Sequence, residues 1–158
     1  MFSAPLQRLE YQQWLPISLW QAWQFFSRPE NLVRITPQNL GFAVTSPLPE
    51  HMYAGMIVTY RVRPLFDIAL PWVSEITHVR EPEFFVDEQR SGPYRLWHHQ
   101  HLFSEADGGV RMTDRVHYQL RCGLPGHWLL GGVVRHRLEE IFSFRRSALS
   151  EIFDRKEP

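Results

Sequence analysis

YRLWHHQHLFSEADGGVRMTDRVHYQLR, residues 94–121, is the stretch on which the fold of this chain turns. At its centre, Asp107-Gly108 is a strong signal for a two-residue hairpin turn, whose central positions take positive φ. Such a loop sets Phe103 opposite Met112 and His101 opposite Asp114. The run after the turn alternates: Met112, Asp114, Val116, Tyr118 and Leu120 share one face, and Thr113, Arg115, His117, Gln119 and Arg121 the other. The first set is the apolar, inner one. Because side chains alternate across a strand, the pairing carries that face back to Trp97, His99, His101 and Phe103 and sends His98 and Gln100 outward. A four-residue loop keeps this parity but moves Asp114 opposite His99, whereas a three-residue loop breaks it.

Working outward, residues 9–16 (LEYQQWLP) read as a first strand. Residues 17–29 (ISLWQAWQFFSRP) follow as a short amphipathic helix, with Ser18 as N-cap before Leu19, Trp20, Trp23 and Phe26. Pro29 opens a second short helix through ENLVRI. Four further β-like runs, 40–45, 55–63, 71–79 and 83–89, precede the hairpin and are separated by turns bearing Pro or Gly. In 55–63 the inner set is Met56, Val58, Tyr60 and Val62; in 71–79 Trp72, Ser74 and Ile76 make the better interior face. The facing of Phe84–Gln89 stays open: Asp87 and Gln89 line the interior, or Val86 does. After a Gly-containing connection, 122–132, residues 133–153 place Val134, Leu138, Ile141, Phe142, Leu149 and Ile152 at helical spacing. Arg135, Arg137, Arg145 and Arg146 are read as the solvated face of this helix, and Trp20, Trp23 and Phe26 as core. The expected class is α+β: an antiparallel sheet, two short helices after strand 1, and a long C-terminal helix, with a pocket between sheet and helix.

Length and composition bound the function. With 158 residues and 44% hydrophobic content, the chain is expected to form one domain, 1–158. Seventeen basic and seventeen acidic residues leave no net charge, so no nucleic-acid partner is expected. No run is long and apolar enough for an integral membrane span, and Cys122 is the only cysteine, so a cytoplasmic protein without disulfides is expected. The oligomeric state is not readable from the sequence.

The histidines admit three chemistries. On one face of a strand, His99 and His101 stand about 6.6 Å apart at the α-carbon, within reach of one metal ion with Asp114 as a third ligand. No HExxH or cysteine cluster accompanies them, and a hydrogen-bonded patch accounts for them without an ion, so neither metal nor cofactor is expected. Alternatively, His99 or His101 oriented by Asp114 serves proton transfer on a carbonyl compound held by Tyr60 or Tyr118. No nucleophile elbow is present, which disfavours acyl transfer. A pairing of Asp114 with an inward histidine is expected to raise that histidine's pKa.

The succession PENLVRITPQNLGF, GMIVTYRV, PWVSEI, FVDEQRSGPYRLWHHQHLF, MTDRVHYQL and a final long helix resembles the SRPBCC superfamily, the START-like or Bet v 1-like helix-grip fold. It is similar in particular to the bacterial polyketide cyclase/dehydrase-like and CoxG-like branch, through the pattern FxDxQxxGPxxxWxHxH from Phe85 to His101. The resemblance implies a curved seven-stranded antiparallel sheet around the long helix, enclosing a cavity for a lipid, quinone or polyketide-like molecule. It also turns Asp87 and Gln89 inward. The ligand-binding set so expected is Tyr60, Trp72, Asp87, Gln89, Trp97, His99, His101, Asp114, Tyr118, Leu138, Ile141 and Phe142. The expected function is binding of a small hydrophobic or amphipathic molecule. One alternative is a cyclase or dehydratase working through the His/Asp pair, and another is an accessory interaction domain with a filled cavity. Ligand pockets commonly span roughly 300–1,000 Å³.

Overall fold

The computed structural model describes residues 4–64, 66–121 and 123–154. Cys122, the lone cysteine, lies outside them. Seven strands form one antiparallel sheet: β1 (Gln7–Leu15), β2 (Ala43–Val44), β3 (Met56–Val62), β4 (Leu70–Arg80), β5 (Phe84–Ser91), β6 (Tyr94–Ala106) and β7 (Gly109–Leu120). Their spatial order is β1-β7-β6-β5-β4-β3-β2, so β2 to β7 run as a meander and β1 closes onto β7. The turn at Asp107-Gly108 has two residues, with φ of 52° and 75°, and joins Ala106 to Gly109 as neighbours across the ladder. Phe103 pairs with Met112 and His101 with Asp114, as the hairpin reading expects. Register shifts in β4–β5 and near Tyr94 in β6 add local curvature, which an open sheet needs to wrap a helix.

The inner face follows the expected parity. Met56, Val58, Tyr60 and Val62 are buried on β3, Ser74 and Ile76 on β4, and Met112, Asp114, Val116, Tyr118 and Leu120 on β7. Two short helices, α1 (Leu19–Phe26) and α2 (Pro29–Leu32), follow β1. Ser18 caps α1: its hydroxyl accepts from the Gln21 backbone N–H at 3.1 Å, and the Gln21 side-chain oxygen accepts from the Ser18 N–H at 2.9 Å. Trp23 and Phe26 enter the core, but Trp20, read as core from the sequence, is half exposed. Position 20 falls on the outer side of a helix whose buried face is Ala22, Trp23, Phe25 and Phe26.

The long helix, α3, runs from Gly123 to Phe153, so the segment 122–132 read as a connection is largely its first turns. Gly131 and Gly132 weaken a helix by roughly 0.5–1 kcal/mol each without ending it, and Pro125 sits in the first turn, where its missing N–H is harmless. Val134, Leu138, Phe142 and Leu149 are buried along one stripe. No helix of the described residues is long and apolar enough to cross a membrane.

Packing divides the interior into two apolar parts. One gathers Trp23, Phe26, Phe85, Phe103, Met112 and Leu149; the other gathers Tyr94, Val116, Tyr118, Val134, Leu138 and Phe142. Along β6, His99 and His101 fall between Trp97, which packs on the second part, and Phe103, in the first. On β7 Asp114 falls between Met112 and Val116, and on α3 Arg145 falls between Phe142 and Leu149. A belt of charge therefore crosses the core at one level.

Candidate functional site

The belt is built from five side chains on four elements. Asp87 stands directly across the ladder from His99, and Asp114 directly across from His101. Each carboxylate nevertheless bonds the diagonal histidine: His101 Nε2 lies 2.7 Å from Asp87 Oδ2, and His99 Nε2 lies 2.7 Å from Asp114 Oδ1. Diagonal neighbours are within reach of long side chains on a twisted sheet. The two rings lie 3.8 Å apart between centroids, and Phe85 stacks on His101 at 4.1 Å. His101 Nδ1 is 3.2 Å from Asp114 Oδ1 but off the line of a hydrogen bond. From α3, Arg145 Nη1 donates to Asp114 Oδ1 at 3.1 Å, its guanidinium lying over the Phe142 ring.

Arg145 corrects the sequence reading, which put it on the solvated face with Arg135, Arg137 and Arg146. It is only 7% exposed. The signal was present in the spacing: position 145 continues the stripe Leu138–Phe142 and precedes Leu149 by one turn, and charge alone argued it outward.

Burial opposes every charge in this belt, and the neighbours decide the outcome. Despite desolvation, Arg145 and the two imidazoles hold the Asp114 carboxyl well below its ordinary pKa. Asp87 is likewise lowered, by its hydrogen bond to His101 and the charges of both histidines, against its burial. At His101 desolvation is outweighed by the combined pull of Asp114 and Asp87, and the pKa is raised. At His99 desolvation and the adjacent His101 prevail over Asp114, and the pKa is lowered. The expectation that a carboxylate raises the pKa of its hydrogen-bonded histidine thus fails at His99, where burial, with the neighbouring His101 beside it, outweighs the carboxylates.

This belt forms one wall of a cavity of about 170 Å³ between the sheet, the short helices and α3. Tyr60, Trp72, Asp87, Trp97, His99, His101, Leu138, Ile141 and Phe142 of the expected set line it. The cavity is smaller than the usual 300–1,000 Å³ because aromatic rings crowd it. Trp72 and Trp97 meet edge to face at 5.3 Å, and the Trp72 indole N–H donates to Ser74 Oγ at 3.0 Å. Arg28, an exposed residue, is also among the residues that line the cavity.

Three expected residues do not line it. Asp114 sits behind the histidines, Tyr118 packs in the apolar core, and Gln89 is engaged elsewhere. The Gln89 amide donates to the Tyr94 carbonyl at 2.8 Å and accepts from the Tyr94 N–H at 3.1 Å, clamping the β5–β6 turn. A Cβ at Gly92 would lie 2.5 Å from the Gln89 side-chain oxygen, so glycine makes room for the clamp. The spacing from Phe85 to His101 therefore combines two jobs: Gln89 and Gly92 fix the turn, while Phe85, Asp87, Trp97, His99 and His101 face the cavity. Phe25, Phe26, Ile35, Phe42, Ser74 and Phe85 are lining residues that sequence reasoning did not assign to the site.

No sequence-family model and no curated protein matches the chain. Solved structures do match in fold. Protein Ms6760 from Mycobacterium smegmatis is 19% identical, with a TM-score of 0.66 over 95% of this chain and 96% of that one. Protein CV1439 from Chromobacterium violaceum is 10% identical, with a TM-score of 0.68 over 95% and 99%. Ara h 8.0201 is 12% identical, with a TM-score of 0.62 over 93% and 99%. At these identities the likeness is one of fold: the chain shares with these structures a curved antiparallel sheet gripping a long C-terminal helix, the helix-grip fold.

Proposed function

We propose that the whole chain serves as one domain that binds a compact, largely apolar molecule carrying a polar group, as in the polyketide cyclase-like branch that it resembles. The observation that carries this reading is the cavity itself: apolar over most of its wall, with the hydrogen-bonded Asp87–His101 pair among its few polar lining groups. Apolar lining with a few convergent polar groups is the usual composition of small-molecule sites. A volume of about 170 Å³ favours a ring compound of quinone or small polyketide type over a whole sterol or long-chain lipid. It also weighs against an accessory interaction domain with a filled interior.

Native mass spectrometry of the full chain, and titration with an anilinonaphthalene fluorescent probe, test this. We expect saturable binding of one probe per chain. Ile141→Trp, which fills the cavity from α3, should weaken it at least tenfold with the circular dichroism spectrum unchanged. Equal binding by both proteins would place the probe elsewhere and overturn the reading.

A second reading, proton transfer on the bound molecule as in a cyclase or dehydratase, is favoured by the hydrogen bond between His101 and Asp87 at the cavity wall. Asp87→Asn separates the two: probe binding should persist in either case, and turnover of a bound carbonyl compound should collapse only in an enzyme.

A further inference from the structure

The sequence reading set a metal aside because no HExxH or cysteine cluster accompanies His99 and His101 and a hydrogen-bonded patch accounts for them, with Asp114 considered as the third ligand. In the fold, Asp114 is behind the imidazoles and Asp87 is in front of them. One ring nitrogen from each of His99 and His101 and a carboxylate oxygen of Asp87 lie within 4.8 Å of one another. Asp87 Oδ2 is 2.7 Å from His101 Nε2 and 3.6 Å from His99 Nδ1. Ligand bonds of about 2.0–2.2 Å place neighbouring donors about 3.0–3.5 Å apart, so these atoms need only modest adjustment to share one ion. Both histidines are buried, and all three residues line the cavity.

The outer nitrogens supply an independent observation. His99 Nε2 is hydrogen-bonded to Asp114 Oδ1, and His101 Nδ1 faces the same oxygen at 3.2 Å. A metal-bound imidazole characteristically donates its other N–H to a carboxylate, which fixes tautomer and ring orientation. Here one carboxylate stands behind both rings and is itself anchored by Arg145. A carboxylate only accepts, so the bond to Asp114 calls for the proton on His99 Nε2 and leaves Nδ1, 3.6 Å from Asp87 Oδ2, free to ligate. His101 adopts its own ligating tautomer when the proton between Nε2 and Asp87 gives way to the ion.

We propose that Asp87, His99 and His101 form a binding site for one divalent first-row transition-metal ion, with Asp114 orienting both imidazoles and the remaining coordination positions open to the cavity. Two imidazoles and a carboxylate suit zinc, iron(II) or manganese(II) and not a soft ion such as copper(I). The ion would present a Lewis-acidic centre to the polar group of whatever molecule enters. The site does not depend on the identity of that molecule.

The test uses the full chain, stripped with a chelator and titrated with Co²⁺ followed by visible absorption, and with Zn²⁺ by equilibrium dialysis. One equivalent should bind. Asp87→Asn and His99→Gln should each weaken binding at least a hundredfold, and Asp114→Asn should weaken it about 10–100-fold while keeping the cobalt spectrum, as for other outer carboxylates. In the unaltered protein, Zn²⁺ should shift the nitrogen resonances of His99 Nδ1 and His101 Nε2, a readout that requires no variant to fold. Failure to bind near one equivalent, or nitrogen shifts absent from both rings, would overturn the proposal. So would binding that survives Asp87→Asn and disappears on His136→Ala, since His136 and Glu140 lie 3.4 Å apart on the exposed face of α3. Probe binding by the metal-free chain is unaffected by any of these outcomes, so the cavity reading stands or falls separately.

Discussion

Asp114 is the residue on which the interior depends, because its carboxylate meets an imidazole from β6 and the guanidinium from α3 while only 1% exposed. Removing one member of a buried ion pair leaves the other charged and desolvated, at a cost of about 3–5 kcal/mol, whereas replacing both by apolar groups is often neutral. Asp114→Leu and Arg145→Met should therefore each lower the urea-unfolding free energy by that amount, and the double substitution should lower it by less than either alone. Simple addition of the two losses would mean that the residues do not act as a pair. Asp114 was legible in the sequence as an inward, histidine-facing carboxylate, since parity alone fixed its side of the sheet. Its choice of partner was not, because parity pairs residues straight across the ladder and twist brings the diagonal ones together.

Among the elements, strands were more readable than the long helix. Alternation on β3, β6 and β7 repeats every second residue, so each run announced its inner face, and the two-residue turn locked two of them in register. The helix announced a stripe but not its start, since Gly131 and Gly132 look like a break and are outvoted by their neighbours. On the solvent-facing side of edge strand β1, Glu10, opposite Arg115, accepts from Arg115 Nε at 2.8 Å and from Arg8 Nη2 at 2.5 Å. Arg115, then Arg8, lower the Glu10 pKa from 4.5 to about 2. A carboxyl with a depressed folded pKa contributes stability above its unfolded value and loses it as pH falls through the folded one. The stability difference between the protein and its Glu10→Gln variant should thus be full at pH 5 and fade between about 4.5 and about 2. Urea midpoints across that range measure it. Added salt should shrink the difference, because the pair is solvent-facing.

At the scale of the molecule, the fold places a charged layer between two apolar halves and opens a cavity along it. A core of this kind is costly to build and easy to improve by apolar substitution, which is the balance found where stability is spent on a site. The aromatic edge contact in the cavity wall has an optical consequence. Trp72 and Trp97 meet at 87° with centroids 5.3 Å apart, so their indole transitions couple and should give a near-ultraviolet dichroic couplet that Trp97→Phe abolishes. Both rings border the cavity. Any guest lying against them changes the couplet and quenches their emission, while Trp128, 84% exposed on α3, emits from water and stays constant. If the cavity binds a molecule as proposed, the two indoles give a gauge of its occupancy that is readable without label.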